Sequence, residues 1–328
     1  MKLLVLNQTE IEQLLPMHDC IEVMTQALKA LAQGQVHLPL RMVVRPPDAA
    51  GVMALMPAHI AGENATLGVK VINVFNGNPA QGKDSHQGAV LLFAAETGEP
   101  LAMLNASAIT AIRTAAVSGV ATRLLAREDA GDLAIIGSGV QARSHLAAMA
   151  CVRSIRRVRV VSHQFEHARR FATELQPHYA FSIEPVVTIE AAVREADLIV
   201  TATSSAEPVV RQGWIAPGAH LNVVGASLPT AREVDTATMA AASLFVDRRE
   251  STLNEAGDYL FAAREGAIGP EHIRAEIGEV LTGAQPGRTQ PDEITLFKSL
   301  GLAVEDVTAA AFIYQRARRN SAGTWAEF

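Results

Sequence analysis

The chain has 328 residues, of which 49% are apolar, so it is long and apolar enough for two domains with a large buried core. Its formal net charge is −6 and its basic residues form no cluster, which argues against a nucleic-acid partner. The apolar runs fall short of the ~18 residues of a membrane span, and the run at residues 1–6 is too short for a signal peptide. We therefore expect a cytoplasmic protein with no membrane partner.

The cysteine content indicates a reducing compartment. Cys20 and Cys151 both fall in apolar helical patterns, which predicts two buried free thiols rather than a disulfide or a metal pair. We predict no metal site.

The first third of the chain combines short helices with strands. Two helices come first, the second opening at Asp19 with Glu22 at a capping-box spacing and running toward Gly34. From about residue 38 to 104, short apolar runs alternate with Gly, Asn and Pro, and residues 96–99 have the composition of a turn. This pattern predicts a largely antiparallel sheet. An alanine-rich helix follows, from about residue 107 to 125.

The middle of the chain alternates strand and helix, which predicts a parallel, doubly wound sheet. The predicted strands are 133–136, 158–162, 182–187, 197–201, 220–224 and 243–246, and the predicted helices are 140–151, 164–176, 188–195 and 251–264. A closing helix at about 303–319 is expected to return to the first domain. The predicted fold class is α/β, a Rossmann-type sheet at 114–302 plus an α+β domain made of residues 1–113 and 303–328.

The glycine turn after the first predicted strand of this sheet indicates a dinucleotide site. Gly137 allows a tight turn, Gly139 removes the Cβ that would block a pyrophosphate, and Ala142 lets the helix pack closely on the strand. The free N–H groups at the start of that helix then favour the phosphates. The strand–turn–helix order makes this interpretation stronger than the glycines alone would.

The end of the second strand favours NADP(H) over NAD(H). An acid there would bind the ribose 2′-hydroxyl and repel a 2′-phosphate, but the strand ends in Ser162, His163 and Gln164, which all donate hydrogen bonds. Arg169 and Arg170 follow within two turns. Glu166 is an acid near this strand end and would favour NAD(H), but we assign it to the first turn of the following helix. NAD(H) is the alternative cofactor.

Several longer strings resemble the ornithine cyclodeaminase/mu-crystallin family, in the family's order and across nearly the whole chain. They are residues 56–58, 68–71, 86–93, 104–118, 218–229 and 297–301. The resemblance implies a homodimer, with the first domain contacting a small imino or amino acid substrate and the second binding NAD(H) or NADP(H). The residues expected at the cofactor are Thr114, Gly137, Gly139, Val140, Gln141, Ser162, His163, Gln164, Thr203 and Gly225.

The same resemblance assigns three basic residues to the substrate carboxylate. The family's carboxylate-binding positions are matched by Arg41, Lys70 and Arg113, and a guanidinium suits a planar carboxylate in bidentate fashion. Lys70 also stands out by itself, because it interrupts an apolar strand pattern at 67–72, where a polar group needs a reason. We expect Lys70 to supply or relay a proton as well.

Two absent acids separate the branches of this family. Ornithine cyclodeaminases carry one acid just before the Leu-Met-Pro segment and another in the loop after the strand at 220–224. This chain has Ala54 and Ser227 at those positions, so a cationic amine would find neither a counter-charge nor a general base. Serine at the second position resembles the ketimine reductases.

The sequence thus predicts an NAD(P)H-dependent reductase of cyclic 2-imino acids, with Ser227 among the substrate contacts. Three alternatives remain open: an ornithine cyclodeaminase with a displaced acid, an alanine-dehydrogenase-like enzyme, and a non-catalytic ligand-binding protein.

Other polar residues are expected to be structural. We expect His86 to order a turn beside the pocket and His220 to begin a strand, Asn222 to be a hydrogen-bonded core amide, and Glu233 and Asp235 to begin a surface helix.

Overall fold

The computed structural model describes residues 2–62, 65–75 and 77–328. The chain divides into two compact units, unit 1 (residues 1–113 and 301–328) and unit 2 (residues 114–300).

Unit 1 holds a mixed sheet with helices packed on it. Its strands are β1 (Lys2–Leu6), β2 (Val36–His37), β3 (Met42–Val44), β4 (Val52–Ile60), β5 (Thr66–Val74), β6 (His86–Ala94), β7 (Pro100–Asn105) and β16 (Thr324–Glu327). Its helices are α1 (Gln8–Leu14), α2 (Met17–Ala32), the first part of α3 (Ala106–Leu125) and α11 (Ala303–Asn320). The strand order is β16-β1-β7-β6-β5-β4-β2, with β3 paired to β4.

Alternation along the central strands gives this sheet one buried face. On β4 the buried residues are Ala54, Met56 and Ala58, and helix α11 packs against β4, β5 and β6. The close approach depends on Gly68 of β5, where a Cβ would lie 2.9 Å from the side chain of Val307 on α11. The same face carries Lys70, paired in register with Met56.

The sequence missed or misplaced three features of unit 1. Strands β1 and β16 were not predicted. The sheet is largely antiparallel, as predicted, with β1 running parallel to β7. Helix α2 begins at Met17, after Pro16, so Asp19 lies in the first turn instead of capping the helix. Its carboxylate pairs with Arg316 of α11.

Unit 2 is a parallel sheet with helices connecting its strands. Its strands are β8 (Asp132–Ile136), β9 (Arg157–Val161), β10 (Ser182–Pro185), β11 (Leu198–Thr201), β12 (His220–Val223), β13 (Ser243–Val246), β14 (Ile273–Glu276) and β15 (Thr295–Lys298). Its helices after α3 are α4 (Val140–Val152), α5 (Phe165–Leu175), α6 (Ile189–Val193), α7 (Thr236–Ala241), α8 (Arg249–Glu255), α9 (Gly257–Arg264) and α10 (Ile277–Leu281).

The strand order of unit 2 is β10-β9-β8-β11-β12-β15-β13-β14. Its first five strands in the chain therefore follow the 3-2-1-4-5 order of a Rossmann sheet, which reverses between β8 and β11. This confirms the predicted fold class. Two details differ: β14 and β15 were not predicted as strands, and the helix expected at 251–264 is two helices that meet at Ala256.

The expectation of two buried thiols is half wrong. Cys20 is buried and burial raises the pKa of its thiol, whereas Cys151, near the end of α4, is exposed. The apolar pattern around residue 151 continues to the last turn of α4, where the side chain points outward.

Within the described part of the chain, α3 is one helix with the length and composition of a membrane span. In its most apolar window 72% of the residues are buried within the protein, which is the behaviour of a core helix.

Candidate active site

The buried face of the unit 1 sheet gathers the three basic residues expected to bind the substrate. The Lys70 ammonium lies 2.7 Å from the Asp306 carboxylate, and the Arg113 guanidinium lies 2.9 Å from the same carboxylate and 2.5 Å from that of Glu305. Arg41 donates to the backbone oxygen of Gly301 at 3.1 Å. We call these five charged residues the unit 1 cluster.

The two acids of this cluster were not predicted. Glu305 and Asp306 lie in the first turn of α11, where the helix dipole favours negative charge, and neither side chain has measurable exposure. In the sequence these residues are a pair of acids in an otherwise apolar first turn of a helix. Such a pair is equally compatible with a helix that begins at the protein surface. Only the packing of α11 on β5 shows that these acids face the buried cations.

Two of the Arg113 nitrogens donate to acids of the protein, which limits how this side chain could bind a carboxylate ligand. Its Nε donates to Asp306 and its Nη1 to Glu305, so those two nitrogens are already committed to the protein. The remaining donors are on Nη2 and the second hydrogen of Nη1. The donors of Arg113 that could meet a ligand are therefore at the far end of the guanidinium.

Gly301 brings the start of α11 against this guanidinium. Its φ of +76° lies in the left-handed region, and a Cβ at this position would collide with Nη1 and Nη2 of Arg113. Its carbonyl oxygen meanwhile accepts from Arg41. One glycine thus orients two of the three cations.

Lys70 has the acid–base properties of a proton donor near neutral pH. Its pKa is lowered to about 8, mainly by burial and then by the charges of Arg113 and Arg41, while Asp306 opposes the decrease. The ammonium also donates to the Thr110 hydroxyl at 3.5 Å. Lys70 is therefore mostly charged at neutral pH, yet closer to releasing its proton than an ordinary lysine.

His86 lies within the electrostatic reach of the same cations. More than a third of the residue remains exposed, and its pKa is lowered first by partial desolvation and then by the charges of Lys70 and Arg113. Its Nδ1 is 3.0 Å from the Ser85 hydroxyl. The imidazole is therefore neutral at the border of the cluster, and its backbone oxygen accepts from Ser107.

The glycine turn of unit 2 has the geometry that the motif requires. Gly137 has φ +113°, and a Cβ there would collide with the backbone oxygen of Ala202, so this position needs glycine. At Gly139 a Cβ would meet nothing within 4 Å, which leaves open space in front of α4. Gly139 caps α4 without a side-chain bond, and Val140 is 60% exposed, so the N–H groups of the first turn are accessible to a phosphate.

The end of β9 lies beside this turn. The backbone N–H of Gly137 donates to Val161, and the hydroxyls of Ser138 and Ser162 are 2.9 Å apart. His163 and Gln164 are exposed. Glu166 lies in the first turn of α5, as expected, and its carboxylate is 2.8 Å from Arg169, so that arginine is partly neutralised.

The remaining predicted contacts lie at the other half of the sheet. Thr203 follows β11 and Gly225 follows β12, and both are bonded to the buried carboxylate of Glu233. Ser227 is exposed in the loop after β12. Thr114 is buried on α3 and Gln141 is half-buried in the first turn of α4.

The expectation for Glu233 is wrong. Asp235 does begin α7, where its carboxylate accepts from the backbone of Thr238, but Glu233 has no measurable exposure and lies outside the helix. Two acids spaced two residues apart are typical of the start of a helix. The sequence therefore did not indicate that Glu233 is buried.

Residues 1–321 match the sequence model of the ornithine cyclodeaminase/mu-crystallin family. The chain belongs to this family. Ketimine reductase mu-crystallin of Mus musculus is 40% identical over 281 residues, which are 86% of this chain and 85% of the mouse protein.

Two solved structures of the family are similar over the full length. Δ1-pyrroline-2-carboxylate reductase of Thermococcus litoralis, in complex with NADH and L-proline, is 38% identical with a TM-score of 0.96, covering 98% of this chain and 99% of that one. An archaeal alanine dehydrogenase dimer with bound NAD is 33% identical with a TM-score of 0.94, covering 100% of both chains.

Two further family residues act in the core of unit 2, as expected. Burial lowers the pKa of His220 to about 3, and its Nδ1 is 2.9 Å from the Thr295 hydroxyl, so this imidazole is neutral. Asn222 is buried and donates to the Thr122 hydroxyl at 2.9 Å. The His220 contact joins two neighbouring strands of the sheet, and the Asn222 contact joins the sheet to α3.

Proposed function

We propose that this protein is an NAD(P)H-dependent reductase of cyclic 2-imino acids, converting Δ1-pyrroline-2-carboxylate or Δ1-piperideine-2-carboxylate to proline or pipecolate. The observation that carries the proposal is the convergence of three cations in the unit 1 cluster, where Lys70 and Arg113 are buried against Asp306 and Glu305 and Arg41 donates to Gly301. Arg113 keeps N–H groups that are not bonded to Glu305 or Asp306, and the planar geometry of a carboxylate suits such donors. A cyclic 2-imino acid supplies one carboxylate.

The carboxylate of such a substrate is attached to the C=N carbon itself. Holding it on Arg113, Arg41 and Lys70 therefore fixes the reacting carbon to within a bond length. The bound nicotinamide cofactor supplies a hydride to that carbon. The imine nitrogen takes up one proton, for which we assign Lys70 or a water beside it as the donor, and the product is the cyclic amino acid.

Gly139, Val140 and Gln141 at the start of α4 would hold the pyrophosphate, and Thr203 and Gly225 would line the nicotinamide side of the cofactor. The open space at Gly139 and the uncapped, exposed first turn of α4 support this assignment.

A substrate screen separates this activity from its alternatives. Purified protein is mixed with NADPH or NADH and each cyclic imine, with pyruvate plus ammonia, and with ornithine plus NAD⁺. We expect rapid NAD(P)H oxidation with the cyclic imines. NAD(P)H oxidation only with pyruvate and ammonia would indicate an alanine dehydrogenase. This is the second candidate, because an alanine dehydrogenase structure is 33% identical to this chain. Binding without any turnover would indicate a ligand-binding protein.

Restoring the two missing acids tests why this chain is not an ornithine cyclodeaminase. Ala54 lies on the same buried face of the unit 1 sheet as Met56 and Lys70. We expect Ala54→Glu with Ser227→Asp to give measurable ornithine binding, because the distal amine regains a counter-charge, while imine reduction falls. Isothermal titration with ornithine measures this, and wild-type protein that already forms proline and ammonia from ornithine would contradict it.

We propose that NADPH is preferred to NADH, because no acid stands at the end of β9. Ser162→Asp should then shift the ratio of kcat/KM for NADPH over NADH by at least ~10-fold toward NADH, since a carboxylate repels a 2′-phosphate and binds a 2′-hydroxyl. Ser162→Ala is the control for losing the Ser138 contact. If Ser162→Asp left this ratio unchanged, the 2′-phosphate would not bind at the end of β9.

We propose that a second copy of the chain is the protein partner and that the active form is a homodimer in the reducing cytoplasm. The outward face of the unit 1 sheet supports this assembly, because it carries apolar residues that are partly exposed in this chain. A row across four paired strands consists of Pro57, Val69, Leu91 and Met103. The archaeal alanine dehydrogenase is also a dimer.

Leu91→Arg should convert the dimer to a monomer, because it places an unpaired charge in the middle of that apolar face. The mass in solution, from light scattering after gel filtration, measures the change. Val187→Arg is the control, since Val187 is 75% exposed but belongs to unit 2. A wild-type monomer, or a Leu91→Arg dimer of unchanged stability, would contradict the proposed interface.

A further inference from the structure

Glu233 accepts hydrogen bonds from both loops at the carboxyl ends of β11 and β12. The Thr201 hydroxyl donates at 2.8 Å, and Thr203 donates through both its backbone N–H and its hydroxyl at 2.7 Å. From the second loop the backbone N–H groups of Gly225 and Ala226 donate at 2.6 and 3.3 Å. One side chain therefore connects two separate loops.

These contacts suit a carboxylate and not a carboxylic acid. Three of the five donors are backbone N–H groups, which cannot accept a proton in return. The pKa of Glu233 is raised by burial and by the charge of Asp258, and the nearby Lys298 ammonium and the Thr203 donors oppose that rise. The donors compensate the loss of water around the charge.

The surroundings of Glu233 carry a net negative charge. The Lys298 ammonium pairs with Asp258 at 2.9 Å and donates to the backbone oxygen of Ala226 at 2.6 Å. Asp258 in turn accepts from the backbone N–H of Glu233 at 2.7 Å. Two carboxylates and one ammonium give a formal charge of −1, and all three side chains are at most 1% exposed.

The sheet order places these loops on the nicotinamide half of a dinucleotide site. The pyrophosphate of a Rossmann cofactor lies at the first glycine turn and the adenosine ribose at the end of the second strand, here β9. The other half of the cofactor extends past the point where the strand order reverses, toward β11 and β12. The loops that Glu233 holds, at Thr203 and at Gly225–Ser227, are the ends of those two strands.

We propose that Glu233 is a positioning residue for the nicotinamide half of the cofactor site, and that the buried negative charge it forms with Asp258 and Lys298 favours the oxidised cofactor over the reduced one. This rests on the dinucleotide binding proposed above. The oxidised nicotinamide ring carries one more positive charge than the reduced ring, so a fixed negative charge under it binds the two forms unequally. The same bias lowers the barrier to hydride donation, because the positive charge already develops in the transition state.

The test compares the affinities of the oxidised and reduced cofactors, and not only activity. Dissociation constants are measured by calorimetry or fluorescence for NADP⁺, NADPH and 2′-phospho-ADP-ribose, which lacks the nicotinamide. Glu233→Gln should raise the ratio of Kd for NADP⁺ to Kd for NADPH by roughly 10-fold, as expected for losing one buried charge near the ring. Binding of 2′-phospho-ADP-ribose should not change.

Three variants separate charge from structure. Glu233→Asp keeps the charge and should hold the ratio near the wild-type value even where both affinities fall. Asp258→Asn neutralises the other acid while keeping an acceptor for the Glu233 backbone, and should shift the ratio in the same direction as Glu233→Gln; it decides the question if Glu233→Gln does not fold. Asp235→Asn is the control, because its carboxylate caps α7 and contacts neither loop.

An unchanged ratio in Glu233→Gln and Asp258→Asn, or an equal loss of 2′-phospho-ADP-ribose binding, would overturn the inference while leaving the proposed function in place. If the wild-type chain bound none of the three probes and none of NAD⁺, NADH and ADP-ribose, the proposed function would fall, and this inference with it.

Discussion

Gly139→Val is expected to abolish cofactor binding while leaving unit 2 folded. The new isopropyl group enters the open space in front of α4, where nothing lies within 4 Å of its Cβ. It instead occupies the space where the backbone would approach a pyrophosphate. We expect at least a ~100-fold loss of NADPH affinity by calorimetry with thermal unfolding within a few degrees of wild type.

Gly213→Val is the matched control for this variant. Gly213 also lies in unit 2 with open space around its Cβ position and no positive φ, but it is far in sequence from the glycine turn. Gly137 is unsuitable as a control, because its φ of +113° and the backbone of Ala202 make any side chain there destabilising. Unchanged NADPH affinity in Gly139→Val would exclude the start of α4 as the pyrophosphate site.

The parallel sheet of unit 2 was predictable because local sequence determines its parts. Each buried strand is a short apolar run bounded by a helix with 3.6-residue periodicity, and a glycine turn can be recognised from a few adjacent residues. Strand β15 escaped prediction for the opposite reason. It lies in the sheet between β12 and β13 although it follows β14 in the chain. Its sequence, Thr295–Lys298, also ends in a lysine, which is fully buried and pairs with Asp258.

The cationic half of the unit 1 cluster was predictable and the acidic half was not. Lys70 interrupts an apolar strand, which local sequence reveals, and the family resemblance adds Arg41 and Arg113. Glu305 and Asp306 pair with these cations across more than 190 residues of chain, so no local pattern relates them. Acids in the first turn of a helix are usual at the surface, and only tertiary packing buries them.

The same limit explains Glu233. Its hydrogen-bond donors come from the ends of two strands, which the sequence predicts as separate elements. The resemblance directed attention to the acid missing at Ser227, whereas the buried Glu233 carboxylate accepts from Gly225 and Ala226 of the same loop.

Lys70→Ala is expected to lower kcat/KM for the cyclic imine by at least ~100-fold, because it removes a carboxylate contact and the assigned proton donor together. NADPH affinity should barely change, since Lys70 belongs to unit 1. Lys2→Ala, at an exposed lysine of β1, is the control for a general effect of losing a lysine. A loss of NADPH affinity with an unchanged KM for the imine at saturating NADPH would place Lys70 at the cofactor instead.

The pH dependence then separates binding from proton donation. Since the pKa of Lys70 is lowered to about 8, the charged form that holds the carboxylate and donates the proton is lost as the pH rises through that value. We therefore expect kcat/KM to be high below pH 8 and to fall above it, while kcat stays high to a higher pH because a bound carboxylate raises the pKa of its partner ammonium. Lys70→Arg removes the titration, since arginine stays charged throughout this range. A fall near pH 8 that persists in Lys70→Arg would belong to the imine substrate or to another group, and Lys70 would then be a carboxylate anchor without a role in proton transfer.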